Sequence, residues 1–395
     1  MALALEYPLM QQGGTEVLVR ELIRGVSSNW DVVLVSGDEN TKAIPEELSK
    51  HINAHIPWLP AEEDSSPAKT LVPRLRELDV QLAHFHFGGT FNWRSNRYWR
   101  CPIYYVGRSG IPCLTTNHLA TEWLNCGVHP GRPLWQKHLF QLFAIFSRSM
   151  VYRHLRGEIC VSKHDRARLL RMFPQFRRKI LQRYHSLLPA DAPPPQLTGR
   201  APVVLCVGAI GGRKAQRNLA EAFARIAAKH PQWRLDLVGR IEMDEDAQKI
   251  RSFAARCHPA DRITLTGRLT DAETVARMKR ASIFAMPSLQ EGLGLSLQEA
   301  LFYGCVGVGT RAGGIPELID DEVNGLLVPP RDISALAVAL DRLMSNPGVL
   351  DIYRSQARPS IVRKGMTAAA MIQNYLALYR QFGGIVPLEP KNAPN

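Results

Sequence analysis

The chain has 395 residues, 45% of them hydrophobic and 22% charged, and carries a formal net charge of +13. That composition belongs to a soluble globular protein, and the length suits two domains with large cores. It leaves no membrane span, since the most apolar run, 139–152, is short and broken by Gln141 and Arg148.

Taken in order, residues 2–7 form an apolar run with no basic segment before it, which suits a first strand and not a signal peptide. Residues 15–26 repeat Val17, Leu18, Leu22 and Ile23 at helical spacing. Further strands are predicted at 31–36, 82–85, 112–116 and 157–161. A basic helix follows over 162–172, opened by Ser162 and Asp165 in capping-box spacing. The proline-rich stretch 186–200, with Pro193-Pro194-Pro195 in it, can neither continue a helix nor join a central strand, and reads as a linker. Strands then recur at 203–207, 234–238, 263–266, 282–286 and 306–310. The segment 367–382 reads as an amphipathic helix with Ile372, Tyr375, Leu376 and Tyr379 on one face, and the tail 384–395 as disordered. Alternating strands and helices throughout predict an α/β protein of two Rossmann-like halves with parallel sheets.

Seven cysteines, an odd number without Cys-x-x-Cys, indicate neither a disulfide framework nor a zinc site and fit a reducing cytoplasm. Between Arg148 and Arg183 lie eleven Lys or Arg against Glu158 and Asp165 alone. The stretch lacks any nucleic-acid-binding signature, so no nucleic acid is expected. An anionic membrane surface, a phosphorylated acceptor or a merely solvated face remain open for 148–183.

The most informative run is Pro287-Ser288-Leu289-Gln290-Glu291-Gly292-Leu293-Gly294-Leu295-Ser296-Leu297-Gln298-Glu299-Ala300. Gly292 and Gly294 allow close approach of the backbone, and the following helix presents unpaired N–H groups, an anion site suited to a phosphate. Glu291 and Glu299 repel that phosphate and suit the sugar hydroxyls on either side of it. A competing reading makes Ser296 and Glu299 a capping box. Three more places suggest ligands. Gly13-Gly14 opens a helix after the first strand, or makes a plain turn. Gly208 is followed by Arg213 and Lys214, cations able to neutralise a departing diphosphate. His118 follows a strand at its carboxyl end, where open parallel sheets bind ligands, although a structural histidine fits as well. His84 and His86 share one strand face and suit the lining of a cleft better than a metal site, because no third ligand is in view.

The run 287–300, followed by Ala312-Gly313-Gly314-Ile315-Pro316-Glu317 and Asn324-Gly325-Leu326-Leu327-Val328, closely resembles the donor-binding half of the retaining glycosyltransferases of family 4, with their Glu-x7-Glu pair. The resemblance implies a GT-B fold, two Rossmann-like domains facing a central cleft. It makes 1–188 an acceptor domain completed by a crossing helix at 366–383, and 200–365 a nucleotide-sugar domain closing about the proline run. It implies a hexose transfer from a nucleoside diphosphate sugar to a hydroxyl acceptor, with retention and without metal or cofactor. Glu299 then holds the ribose, while Glu291 and the amides of Gly292, Leu293, Gly294 and Leu295 hold the hexose and phosphates. Lys214 and Arg213 stabilise the leaving diphosphate, His118 and Gly13-Gly14 adjoin the hexose, and Gly208, Gly239 and Gly267 line the nucleotide. The family's arginine after the first glycine is absent, Ala209 standing there, and Arg213 is expected to substitute for it. A lipid-linked or anionic acceptor at the inner face of the membrane would suit the basic segment. The alternatives are a nucleotide-sugar epimerase of the same fold or a non-catalytic scaffold for glycan or membrane; an NAD enzyme is not indicated, since Gly13-Gly14 is no Gly-x-Gly-x-x-Gly.

Overall fold

The computed structural model describes residues 1–5, 8–9, 14–37, 44–58, 68–87, 101–118, 133–189, 192–257 and 259–383. The chain divides into one unit of Met1–Leu187 with Ala368–Asn395 and a second of Leu188–Thr367.

The first unit contains strands β1 (Ala2–Leu5), β2 (Val33–Ser36), β3 (Ala54–Pro57), β4 (Ala83–Phe87), β5 (Cys113–Asn117), β6 (Gly157–Cys160) and β7 (Ile180–Gln182). They form one parallel sheet in the order β3-β2-β1-β4-β5-β6-β7. Its helices are α1 (Gly14–Val26), α2 (Glu46–Ser49), α3 (Leu71–Glu77), α4 (Pro102–Arg108), α5 (Leu134–His154) and α6 (Lys163–Met172). The strand period of two sends Ala2 and Ala4 into one core layer and Leu3 and Leu5 into the other, so β1 is buried on both faces. The second of those layers is closed by the last helix of the chain, Ala368–Gly383, whose Met371, Tyr375 and Tyr379 pack with Leu18 and Leu22 of α1. Gly25 of α1 is where Ile372 packs, and a Cβ there would lie 2.5 Å from its Cδ1.

The second unit contains β8 (Ala201–Val207), β9 (Arg234–Val238), β10 (Ile263–Gly267), β11 (Ala281–Met286), β12 (Val306–Thr310) and β13 (Gly325–Val328), again parallel, in the order β10-β9-β8-β11-β12-β13. Its helices are α7 (Gln216–Ile226), α8 (Asp244–Ala254), α9 (Asp271–Arg280), α10 (Leu295–Phe302), α11 (Ile315–Leu318), α12 (Ile333–Ser345) and α13 (Pro347–Arg363); the closing helix is α14. In this sheet the strand order reverses between β8 and β11, and in the first between β1 and β4. Open parallel sheets receive ligands beyond the carboxyl ends of such strands.

Three strands were not foreseen, β3, β7 and β13, and all three are edges. β3 ends in Pro57, acceptable only where no further strand needs its missing N–H. β7 has three residues within the basic segment. β13 begins at Gly325, where a Cβ would lie 2.1 Å from the carbonyl oxygen of Gly307. The proline run belongs to the second unit and is no free span: Arg358 donates to the carbonyls of Pro193 and Ala192, both at 2.5 Å, and Arg354 to that of Leu197 at 3.2 Å. The tail 384–395 lies outside the described residues. The six described cysteines are free and buried.

Candidate functional site

The loops after β8 and β11 are neighbours because those strands pair directly. After β8, Gly208 takes a φ of 153°, and the turn runs through Arg213 and Lys214 to Ala215 in the left-handed region at 52°, which starts α7. Gln216, buried, staples this turn: its Nε2 donates to the carbonyls of Gly208 (3.2 Å) and Ala209 (2.9 Å), and its Oε1 accepts from the Gly211 amide at 3.4 Å. After β11, Leu289 N–H donates to the Arg213 carbonyl at 2.8 Å and the Arg213 guanidinium donates to the Gln290 carbonyl at 3.2 Å. The two loops are thereby tied together.

At their junction lies Glu291, buried. Its Oε1 accepts from the Lys214 ammonium and from the Ser288 hydroxyl at 2.9 Å, and its Oε2 stands 3.9 Å from the Arg213 guanidinium. Ser288 is itself fixed, for its carbonyl takes the Thr310 hydroxyl at 2.5 Å. Two glycines permit this packing. A Cβ on Gly239, after β9, would lie 2.0 Å from the Gly208 carbonyl oxygen, and one on Gly313, after β12, would lie 1.8 Å from that of Glu291. Gly239 N–H in turn donates to the Gly267 carbonyl at 2.9 Å.

The helix that follows, α10, starts at Leu295. Gly294, at φ 96°, is the N-cap of α10, and Ser296 donates its hydroxyl to the Val207 carbonyl at 3.1 Å. The proposed Ser296–Glu299 capping box is therefore not formed. The amides of Leu295 and Ser296 stand in the first turn of α10, where no helical acceptor exists for them. Glu299 is half-buried and its carboxylate makes no hydrogen bond or ion pair with any described residue. Burial first, then the charge of Asp271, pushes its acid up to about 7.

In the first unit, Gly14 is the exposed first residue of α1, while Gly13 lies outside the described residues. His118 follows β5, half-buried, its N–H donating to the Phe87 carbonyl at 3.0 Å. Its Nε2 is 3.3 Å from Nδ1 of His86, and its ring lies 5.0 Å from that of His185. His84 and His86 are fully buried, which corrects their reading as cleft-lining residues. Nδ1 of His84 is hydrogen-bonded to Tyr379 at 2.7 Å and Nε2 to Thr116 at 2.8 Å; Thr116 meets Tyr375 at 3.1 Å, and Tyr375 meets His185 at 2.5 Å. Desolvation pushes His84 and His118 down to about 3 and His86 and His185 well below the ordinary imidazole range, so all four rings are neutral. Among the described residues no group of three His, Cys, Asp or Glu is arranged to hold a metal ion.

The second unit thus brings Arg213, Lys214, Glu291, Gly208, Gly239 and the 292–295 turn into one place, with Glu299 on the helix that leaves it. Sequence reasoning missed Gln216, Ser288 and Thr310. Only Ser288 had a signal: the Ser-x-x-Glu spacing that makes a contact is Ser288 to Glu291, not Ser296 to Glu299.

Comparison with known proteins places the chain among glycosyltransferases. The model of "Glycosyltransferase Family 4" matches residues 12–181 and that of "Glycosyl transferases group 1" matches 201–346. The phosphatidylinositol monomannoside mannosyltransferase of Mycobacterium tuberculosis, GDP-mannose-dependent, is 30% identical over 43% of this chain and 44% of its own length. The D-inositol 3-phosphate glycosyltransferase of Pseudarthrobacter chlorophenolicus is 29% identical over 47% of this chain and 46% of its own. The chain thus spans less than half the length of these curated relatives. In fold it is similar to a glycosyltransferase from Rickettsia africae (TM-score 0.74, 18% identity, 96% of this chain and 98% of that one). It is likewise similar to Anabaena HepE in complex with UDP-glucose (TM-score 0.70, 16% identity, 96% and 99%). With two parallel-sheet Rossmann-like units and both halves matched, the chain belongs to the family 4 glycosyltransferases of GT-B fold.

Proposed function

We propose that the protein transfers a hexose from a nucleoside diphosphate sugar to a hydroxyl acceptor with retention of configuration. The observation that carries this reading is the convergence of Lys214, Arg213 and Glu291 at the carboxyl ends of the switch-point strands, beside the first-turn amides of α10, which have no helical acceptor. Without ligand, Glu291 holds the two cations. An arriving diphosphate offers them a stronger anion, and Glu291 is then released to accept from hexose hydroxyls. Glu299, without a donor among the described residues, takes the ribose hydroxyls. Lys214 and Arg213 stabilise the charge that grows on the leaving diphosphate, with Arg213 in place of the arginine that Ala209 lacks. We assign the acceptor to the first unit, in which Gly14 and His118 are the candidate residues for sugar recognition.

The two cations supply the charge neutralisation that a divalent metal would otherwise give, so activity is metal-independent. The Asp244-Glu245-Asp246 triplet has Asp-x-Asp spacing, but it forms the first turn of α8, and Asp246 is buried against Arg217 at 3.2 Å. The names of the relatives support a phosphorylated or lipid-linked acceptor in glycan or glycolipid synthesis. The basic segment 148–183 supports peripheral contact with an anionic membrane at its inner face.

The test is a thermal-shift screen against UDP-, GDP- and ADP-sugars, followed by product analysis with the stabilising donor and with EDTA present. A stabilising nucleotide sugar, transfer with retention and indifference to EDTA are expected. Inversion, or loss on chelation restored by magnesium or manganese, would overturn the corresponding part. Interconversion of the sugar without any acceptor would identify an epimerase.

A further inference from the structure

Along α5 the described side chains divide between core and solvent. Ser147, Arg148, Val151 and Tyr152 are buried, whereas Trp135, Leu139 and Leu142 are 64, 61 and 65% exposed. At about 100° per residue these three fall within roughly 60° of one another, one stripe along the helix. Arg153, exposed, lies about five turns beyond Trp135 and returns to the same bearing. The apolar stripe therefore runs into cationic surface.

That surface is fixed to the end of the helix. Phe176 stacks on Tyr152 with ring centroids 5.0 Å apart, and the Lys179 ammonium donates to the carbonyls of Tyr152 at 2.7 Å and Arg153 at 3.2 Å. These contacts hold the turn bearing exposed Arg177 and Arg178 against α5. The only carboxylates of residues 133–189, Glu158 and Asp165, are fully buried, and Glu158 is consumed by an ion pair with buried Arg148. Around the stripe the segment shows solvent cations and no anion.

We propose that this face of α5 lies in the headgroup layer of an anionic bilayer, with Trp135, Leu139 and Leu142 entering the acyl boundary and Arg153, Arg177 and Arg178 resting on lipid phosphates. The inference rests on the membrane reading above and adds apolar insertion to it. A tryptophan and two leucines beside arginines match an interfacial helix, in which buried apolar area and attraction to anionic lipid act together. Two copies of the chain packed through this face would bring like charges together. Cations alone would be screened within a Debye length and would leave the three apolar side chains in water.

The test uses the full chain with vesicles of phosphatidylcholine, with and without phosphatidylglycerol, some carrying bromine on the acyl tails. Wild type is expected to bind the mixed vesicles, and tail bromine to quench a part of its tryptophan emission that Trp135→Phe removes. Leu139→Ser/Leu142→Ser is expected to weaken binding about tenfold or more, with an unchanged circular dichroism spectrum and a retained preference for phosphatidylglycerol. If both variants match wild type while Arg177→Gln/Arg178→Gln abolishes binding, the cations alone make the contact; insertion is then overturned and the membrane reading stands. If wild type binds neither vesicle, both fall. A lipid-free dimer in ultracentrifugation that Leu139→Ser/Leu142→Ser dissolves would overturn insertion and make the stripe an interface between copies.

Discussion

Lys214 and Ser288 both donate to one oxygen of Glu291, joining the loops that follow two paired strands. Glu291 has only 7% of its side chain exposed, and Lys214 21%, so the pair settles two charges where water screens little. Breaking it from one side leaves a charge stranded, and such losses exceed the worth of the intact pair. Lys214→Ala is expected to destabilise the ligand-free protein by about 1–3 kcal/mol and Glu291→Gln by less, Ser288 still having an acceptor there. In a double-mutant cycle the coupling should reach about 1 kcal/mol without ligand and fall towards zero with nucleoside diphosphate bound, when phosphate takes the ammonium. A coupling that persists unchanged in the complex would show that Glu291 never yields Lys214. The same lysine variant should lower kcat about a hundredfold.

Glu299 gives a pH signature. Its acid stands near 7 in the folded chain against an ordinary 4.5, because burial and Asp271 penalise the carboxylate. A raised folded pKa means that the stability it contributes is complete below pH 4.5 and is lost as pH rises through 7. Glu299→Gln should therefore stabilise the free protein at pH 8, by about 2 kcal/mol, and change little at pH 4. Nucleotide affinity should move the opposite way: the ribose needs the ionised acceptor, so wild type should bind more tightly at pH 8 than at pH 6, and the glutamine variant about tenfold or more weakly at pH 8. Equal affinity of the two proteins at pH 8 would remove Glu299 from the nucleotide site. Denaturant unfolding and calorimetry give both readouts.

Much of the fold was legible because central parallel strands, buried on both faces, read as continuous apolar runs. The foreseen ranges 234–238 and 306–310 coincide with β9 and β12 to the residue. Edges break that rule. β3 carries His55 and Pro57, β7 is three residues long, and β13 depends on a backbone approach at Gly325 that no periodicity reveals. The glycine loop of the site was visible as a motif, but its staples were not. Gln216 acts through backbone carbonyls within its own turn, and nothing in a polar residue at a helix start announces this. The Ser-x-x-Glu pattern occurs twice within twelve residues, and spacing alone could not say that the first pair makes contact and the second does not.

The histidine cluster of the first unit predicts sensitivity to acid. His84, His86, His118 and His185 are held neutral by burial, with pKa values far below the 6.5 of a free imidazole. Depressed folded pKa values contribute stability that is present above pH 6.5 and is lost as pH falls towards 3. Each ring adds up to about 1.4 kcal/mol per pH unit to that slope. Unfolding free energy should fall steeply between pH 6.5 and 4.5, and His84→Asn should reduce the slope while costing stability at pH 7.5, since Tyr379 of α14 and Thr116 lose a fitted partner. A slope that His84→Asn leaves unaltered would place the acid sensitivity elsewhere.

Gly313 offers a test of the site that changes no charge. Its φ is 55°, and an added Cβ would lie 1.8 Å from the Glu291 carbonyl oxygen and 3.0 Å from the Glu291 nitrogen, both backbone atoms that cannot turn aside as a side chain can. Gly313→Ala must push the β11–α10 loop away from the β12–α11 loop, carrying the Glu291 carboxylate with it. The helix cap at Gly294, three residues on, should follow. We expect a stability loss of about 1–3 kcal/mol from left-handed strain and the clash together. We also expect nucleotide affinity to fall at least tenfold, because a shift of about 1 Å is enough to misplace a bound group. Gly348→Ala is the control: it lies near the start of α13, where a Cβ meets nothing within 4 Å, and it should leave affinity unchanged. If Gly313→Ala binds nucleotide as wild type does while losing stability, the position of the Glu291 backbone has no part in holding the donor, and the role of that loop would have to be carried by Lys214 and Arg213 alone.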